Sequence, residues 1–418
     1  MKPVVLRGLP MQDAVKLGLV GCGYMGRRHV FGYKELKEQG LNVLELEAVC
    51  DIDVDRAEAL AEFAYSNLGK RPRVYTSLSS MLAAAEGNVE ALDIVSLPKT
   101  HHTLTCEALQ SGVNVCVEKP MAITVKACRL MVEAARKSGR VLAVAENYRR
   151  DPLNRIVQAA IAEEVIGKPS MVFETSVGGG DNLFMTVWRH MRHEGGLLLD
   201  VGVHITDILR YFLGDVEEVY GVVGLLEKRR HRREKVGEAL KVVESITPTA
   251  DDMSMAVLRF RNGVIGHWSL IFAAHGEGLG HRLVYGSRGS INCPPDRSGK
   301  PIRLSLDDGA KTEEALKPLA SKALNPVTSK LFPGVTSEYQ LSFPEIDRKL
   351  IAIELYDFIE AIREKRKPEV DGLEGLKAVA LLYAICESSV LGEPVKVRDV
   401  EEGLIKGYQE DIDAGLGL

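Results

Sequence analysis

Two fold types in series are predicted for this chain: an α/β half with a doubly wound parallel sheet, then an α+β half on an antiparallel sheet. Three observations carry that expectation. Short apolar runs alternate with helical stretches from Val15 to Ala145. The loop Gly21-Cys22-Gly23-Tyr24-Met25-Gly26 stands between the first strand and the first helix. After Tyr148 the alternation gives way to successive strands with turn signals, among them Arg261-Asn262-Gly263. Strands alternating with helices pair in parallel through right-handed crossovers, whereas strands joined by tight turns pair antiparallel.

The strands of the first half are read at Val15 to Val20, Leu44 to Cys50, Ala91 to Leu97, Asn114 to Val117 and Val141 to Ala145. The helices between them are Arg27 to Glu38, Asp55 to Leu68, Thr103 to Ser111 and Thr124 to Ser138. Ala57, Leu60, Ala61 and Ala64 recur at helical spacing in the second helix. In the second half, Leu153 to Ile166 and Leu197 to Leu213 read as helices. Ser170 to Val177, Val216 to Leu226, Ser254 to Phe260, Val264 to Phe272, His281 to Tyr285 and Ser290 to Asn292 read as strands. Ile351 to Lys365 and Leu373 to Val390 are the final helices, and the basic run Lys228 to Lys235 reads as a solvated loop. The expected domains are 13–147 and 148–418, with final helices over about 351–391.

Composition narrows the function classes. The chain has 418 residues, 45% hydrophobic and 27% charged, with formal net charge -5. That balance is globular, and the negative sign argues against a nucleic-acid partner. No apolar run reaches the roughly 20 residues of a membrane span, so no membrane partner is expected. Met1 to Gln12 lacks the apolar core of an export signal. Seven scattered cysteines with no C-x-x-C pair suit reduced core residues, and a cytoplasmic location is expected.

The glycine loop predicts a dinucleotide site. Gly21 suits the tight turn, Gly23 the approach of a pyrophosphate, and Gly26 close strand–helix packing. Cys22, Tyr24 and Met25 are assigned to the cofactor with the three glycines, and the helix N-terminus adds amide donors and a positive dipole end for the phosphates. Asp51, 25 residues after Gly26, closes the second strand and would accept the adenosine ribose hydroxyls. The same charge repels a 2′-phosphate, and neighbouring Ile52 offers no donor, so NAD is expected over NADP.

Glu118-Lys119-Pro120 follows a strand, and Asp200-Val201-Gly202-Val203-His204 lies further on. With the glycine loop, Pro98 to His102, Trp188-Arg189 and Leu258 to Gly263, they resemble the glucose–fructose oxidoreductase / inositol dehydrogenase / rhizopine catabolism (Gfo/Idh/MocA) family. The resemblance implies a Rossmann NAD-binding domain beside a C-terminal α/β domain on a large, open, mostly antiparallel sheet. It implies hydride transfer between the nicotinamide and a secondary alcohol or ketone of a sugar, cyclitol or related polyol. A homodimer or homotetramer would cover the open sheet.

Lys119, Asp200 and His204 are the catalytic candidates. Asp200 and His204 share one helix face, so Asp200 is expected to bind substrate and to raise and orient His204 as general acid/base. Lys119 would polarise the substrate oxygen. Glu118, Lys119, Pro98 and His102 are assigned to the cofactor, and His101 to solvent. Tyr148, Arg149, Trp188 and Arg189 are assigned to the substrate with the catalytic three, a cis Lys119–Pro120 bond is expected, and Asn147 is a further crevice candidate. His190 and His193 are read as a flexible loop, with no metal site. Two other activities fit the same residues: a glycoside hydrolase or lyase that oxidises its sugar transiently, and a non-enzymatic NAD-responsive regulator.

Overall fold

The computed structural model describes residues 14–84 and 89–418. The expectation about an export signal at Met1 to Gln12 lies outside them. Six strands form the first sheet: β1 (Val15–Val20), β2 (Leu44–Cys50), β3 (Arg73–Tyr75), β4 (Ala91–Ile94), β5 (Asn114–Glu118) and β6 (Leu142–Ala145). Their order is β3-β2-β1-β4-β5-β6, and every pairing is parallel. Between them run α1 (Tyr24–Glu38), α2 (Val54–Leu68), α3 (Leu78–Ala84), α4 (His101–Gln110) and α5 (Val125–Ser138). This is the Rossmann order, in which the chain reverses between β1 and β4 and leaves a crevice beyond the strand C-termini. β3 and α3 are too short to leave a periodic signal and are absent from the sequence reading.

The second half begins with α6 (Pro152–Ala162), β7 (Pro169–Gly179), α7 (Gly196–Leu213) and β8 (Val216–Gly224). β9 (Arg230–Val236) and β10 (Ala239–Ile246) form a hairpin of their own. β11 (Met253–Phe260), β12 (Ile265–Ala274), β13 (Leu279–Gly286), β14 (Gly289–Cys293) and β15 (Arg303–Leu306) follow. The chain ends with α8 (Thr312–Ala323), α9 (Pro326–Leu331), α10 (Phe343–Glu364), α11 (Gly372–Leu391), β16 (Val395–Lys396), α12 (Val397–Glu401) and α13 (Glu410–Gly415). Eight strands make one sheet in the order β15-β14-β13-β7-β12-β11-β8-β16, antiparallel except for β12 against β7.

That sheet is apolar on both faces. Alternation along β11 sends Ala256 and Leu258 inward and leaves Met255 and Val257 exposed. The inner face packs beneath α7 and α11, and Gly202 of α7 lies where a Cβ would be 2.9 Å from Leu382 of α11. On the outer face Met255 pairs with Val222, Val257 with Tyr220, and Met171 with Ile265, all exposed.

The basic run is not a solvated loop. It forms much of β9, where Arg230 is almost fully buried and its guanidinium meets Asp252 at 2.6 Å. One carboxylate and the carbonyls of Gly180 and Phe272 partner the two terminal nitrogens of that cation, which offsets the cost of burying it. The last long helices also serve both halves. α10 starts eight residues before Ile351, at a Ser342/Glu345 capping box, and packs on α1. Gly32 of α1 makes that approach possible, since a Cβ there would be 2.5 Å from Ile351.

Candidate active site

The glycine loop has the shape a dinucleotide needs. Gly21 sits at φ +104°, and a Cβ there would strike the Ser96 backbone at 2.7 Å. Around Gly23 a Cβ would find nothing within 4 Å, so backbone faces open space. Gly23 caps α1 without a side-chain acceptor, which leaves the first-turn amides for an anion. Asp51 accepts from the Cys22 amide at 2.7 Å and from the Asp53 amide at 3.0 Å, which holds it against the loop. Asp53, not Asp51, caps α2. Ile52 is 94% exposed, and among the described residues Arg56 reaches only Asp53.

Beyond β4, Pro98 is buried in a single helical turn, Pro98–Thr100. His102 is buried, and burial depresses its pKa. His101 is not solvent-facing as expected: it is fully buried and bridges the carbonyls of Pro120 (2.9 Å) and Ser96 (3.1 Å). It ties the turn after β4 to the turn after β5. The Lys119–Pro120 bond is cis.

Glu118 faces away from the crevice. One oxygen meets His29 of α1 at 3.1 Å, the other accepts the Lys119 amide at 2.8 Å, and His29 also meets Asp93 at 2.7 Å. His29, Glu118 and Glu354 bring potential ligand atoms within 4.8 Å of one another, but both His29 nitrogens already have carboxylate partners.

Lys119 points to the start of α7. Its Nζ donates to the carbonyl and to Oδ1 of Asp200, each at 2.9 Å. Arg189 donates to the other Asp200 oxygen at 2.7 Å and stacks on Trp188, 4.2 Å from the ring centre. Burial would raise the Asp200 pKa, but Lys119 and Arg189 outweigh it and hold the carboxyl down to about 2. Asp200 is therefore an anionic anchor for two cations.

His204, one turn along α7, does not use Asp200. Its Nδ1 lies 2.7 and 2.8 Å from the two oxygens of Glu146, and its ring stacks on Tyr148 at 4.1 Å with planes 4° apart. Burial lowers the His204 pKa well below its ordinary value, and the charges of Lys119 and Arg297 push the same way. The expected rise is thus reversed. Burial lifts Glu146 to about 7, against the Tyr148 amide that donates to it at 3.0 Å. A neutral imidazole donating Nδ1–H to Glu146 keeps Nε2 as the basic nitrogen.

Arg149 belongs elsewhere. It is buried, bonds Asp207 at 2.7 Å through Nε, and stacks on Tyr211. Its neighbour Tyr148 turns to His204 while Arg149 turns into the core, so the substrate role expected for Arg149 is withdrawn. His190 and His193 do not converge: His190 accepts from the Phe184 amide at 2.9 Å, and exposed His193 lies 3.5 Å from Asp411.

Sequence reading missed Glu146 and Arg297. Glu146 had a signal, since it follows a Rossmann strand just as Glu118 ends one. Arg297 had none; it lies between β14 and β15, and its guanidinium sits 5.2 Å from the centre of the Tyr148 ring.

A parallel sheet with a phosphate-ready glycine loop, facing an imidazole–carboxylate pair and an anchored lysine, defines a dinucleotide-dependent oxidoreductase. Comparison with known proteins identifies which kind. Residues 15–146 match the model of the oxidoreductase family, NAD-binding Rossmann fold, and residues 158–397 match the family's C-terminal alpha/beta domain. The chain belongs to this Gfo/Idh/MocA family. It is similar to D-apiose dehydrogenase of Paraburkholderia graminis, 25% identical over 92% of this chain and 90% of that one. It is equally similar to myo-inositol 2-dehydrogenase of Thermotoga maritima, 25% identical over 92% and 99%. Levoglucosan dehydrogenase in its NADH complex shares the fold with TM-score 0.73 at 21% identity, covering 92% of this chain and 99% of that structure.

Proposed function

We propose that this enzyme moves a hydride between NAD and a secondary alcohol or ketone of a sugar, cyclitol or related polyol. The observation that carries this reading is the pair of supports around α7: Lys119 fixed on Asp200, and His204 held by Glu146 with Nε2 left as its basic nitrogen. The sugar and inositol dehydrogenases among its relatives agree with it.

NAD fits the loop, because the Gly23 opening and the uncapped α1 amides suit a pyrophosphate, and Asp51 suits an unphosphorylated ribose. When bound, the nicotinamide supplies the hydride acceptor or donor. In oxidation, His204 Nε2 takes the hydroxyl proton. Glu146 balances the imidazolium that forms and keeps the ring in one orientation through Nδ1. Lys119 donates to the same substrate oxygen and stabilises its negative charge as the proton leaves. Asp200 holds Lys119 and Arg189 in place, and Trp188 gives Arg189 a flat support. In reduction the imidazolium returns the proton.

The test is a panel of aldoses, inositols, sugar acids and glycosides with NAD and with NADP, read by nicotinamide absorbance and by product analysis. Stoichiometric NADH formation with NAD supports the reading. Glycoside cleavage without net cofactor change replaces it with the transient-oxidation route. We also propose that a second copy covers the outer face of the eight-stranded sheet.

A further inference from the structure

We propose that the substrate carries a carboxylate, and that Arg297 is the residue that receives it. The inference rests on the polyol reading above and narrows its substrate class to polyhydroxy acids.

The segment that bears Arg297 is held in place by buried charge. Arg282 of β13 is buried and reaches Asp296 at 3.0 and 3.1 Å. Asp296 also accepts from Asn154 at 2.8 Å. The Arg297 amide donates to Asp151 at 3.1 Å, and Asp151 accepts from Tyr339 at 2.9 Å. Arg297 itself stands at φ +56°, where a side chain is strained. A surface arginine needs none of this. The supports fix one direction for one side chain.

That direction is toward the catalytic pair. The guanidinium lies 5.2 Å from the centre of the Tyr148 ring, and Tyr148 stacks on His204. It also lies 5.3 Å from the Phe343 ring centre. Among the described residues its one ion pair is with Asp347, at 3.6 Å, too long for a hydrogen bond. Asp347 is already taken by Arg28 of α1, which grips both its oxygens. Buried Nε of Arg297 has no partner among the described residues.

The charges around the crevice are unequal. Asp200 serves two cations, Lys119 and Arg189. Asp347 also serves two, Arg28 and Arg297. Glu146 is engaged with His204, and Glu118 with His29. Each of these two groups has one positive charge more than it has carboxylates, while Arg282 is shared by two carboxylates, Glu174 and Asp296. Arg28 stands on the glycine-loop helix, on the cofactor side. Arg297 stands beside Tyr148, on the substrate side, with its fork of donors uncommitted. A carboxylate matches that fork as a hydroxyl does not.

The test pairs each acid with its neutral counterpart: gluconate with glucitol, galactonate with galactitol, glucuronate with glucose. Wild-type enzyme at saturating NAD is expected to prefer the acid in kcat/KM by about 10-fold or more. Arg297→Gln is expected to lower kcat/KM for the acid by about 100-fold, mostly through KM, and for the neutral partner by less than about 3-fold. Its NAD dissociation constant should stay within about 2-fold of wild type. Three results overturn the inference: neutral polyols used as well as their acids, equal losses on both in the variant, or a loss of NAD affinity that assigns the charge to the cofactor. If Arg297→Gln does not fold, the wild-type preference decides alone. A panel in which no compound, acid or neutral, changes nicotinamide absorbance fails the polyol reading itself, and is thereby distinct from failure of the carboxylate assignment.

Discussion

His204 and Glu146 share a hydrogen bond of 2.7 Å between elements 58 residues apart, one on α7 and one just after β6. The strand belongs to the cofactor half and the helix to the other, so this bond joins the two halves at the reacting centre. Burial raises Glu146 to about 7 and lowers His204, so the pair passes from one proton to two as pH falls through about 7. Oxidation needs the pair able to take a proton. Its rate is expected to fall as pH drops below about 7, and the reduction rate to rise. Glu146→Gln should remove that limb and lower kcat by about 100-fold with little change in KM for NAD. Initial rates in both directions across pH 5 to 9, roughly the range in which such pairs titrate, check this.

Lys119 makes the second contact with α7, and its loss has a separable signature. Lys119→Met removes the donor to the substrate oxygen while Asp200 keeps Arg189. A fall in kcat of about 1000-fold is expected, the size typical of a lost oxyanion donor, with NAD affinity within a few-fold of wild type. Fluorescence titration with NADH beside steady-state rates separates the two. A parallel loss of NADH binding would place Lys119 with the cofactor instead.

Asp200 has a signature in stability as well. Its folded pKa of about 2 lies below the ordinary 3.8, so the native state binds fewer protons than the unfolded chain between those values. Its contribution is fully present above pH 4, on the order of 2 kcal/mol, and is lost as pH falls through about 2. Asp200→Asn should flatten that part of the acid-unfolding curve. It also leaves Lys119 and Arg189 facing each other without an anion, so kcat falls with it.

What the sequence made legible follows from where the signal is local. β1 and β2 run Val15–Val20 and Leu44–Cys50, as read: β1 is apolar apart from Lys16, and β2 alternates Leu44-Glu45-Leu46-Glu47 before its buried apolar end, both patterns that a strand leaves in sequence. Lys119 was reachable because its short motif follows a strand end, and Asp200 and His204 because theirs places them on one helix face. Their partners were not. Asp200 and His204 are four residues apart on one helix, yet one turns to Lys119 and Arg189 and the other to Glu146, since side chains a turn apart meet different neighbours. Strand-end position located Tyr148 and Arg149 together but not the opposite directions they take. The β9–β10 hairpin stayed hidden behind its arginines, and the first eight residues of α10 behind the charged stretch Pro344 to Lys349.

Arg149 tests that distinction. Its buried pair with Asp207 makes it structural, so Arg149→Ala should leave an unpaired buried carboxylate and destabilise the fold by about 3–5 kcal/mol. Activity per folded molecule should remain within a few-fold of wild type. Urea denaturation, with rates corrected for the folded fraction, checks both halves of the expectation.

The outer face of the eight-stranded sheet carries the remaining prediction. Tyr220, Val222, Met255, Val257, Met171 and Ile265 form an exposed apolar band across the four neighbouring strands β8, β11, β12 and β7. Large contiguous apolar patches on soluble proteins mark contact surfaces, and a two-fold axis sets the same patch of two copies against each other. Val257 pairs with Tyr220 in the middle of the band, so Val257→Arg puts a charge where two copies would meet. Sedimentation should show the wild type as a dimer or a larger even assembly and the variant shifted to monomer. The band lies on the face opposite α7, which carries Asp200 and His204, so the monomeric variant should keep NADH binding. A wild-type chain that sediments as a monomer would remove the sheet face from assembly and leave its apolar residues for some other contact.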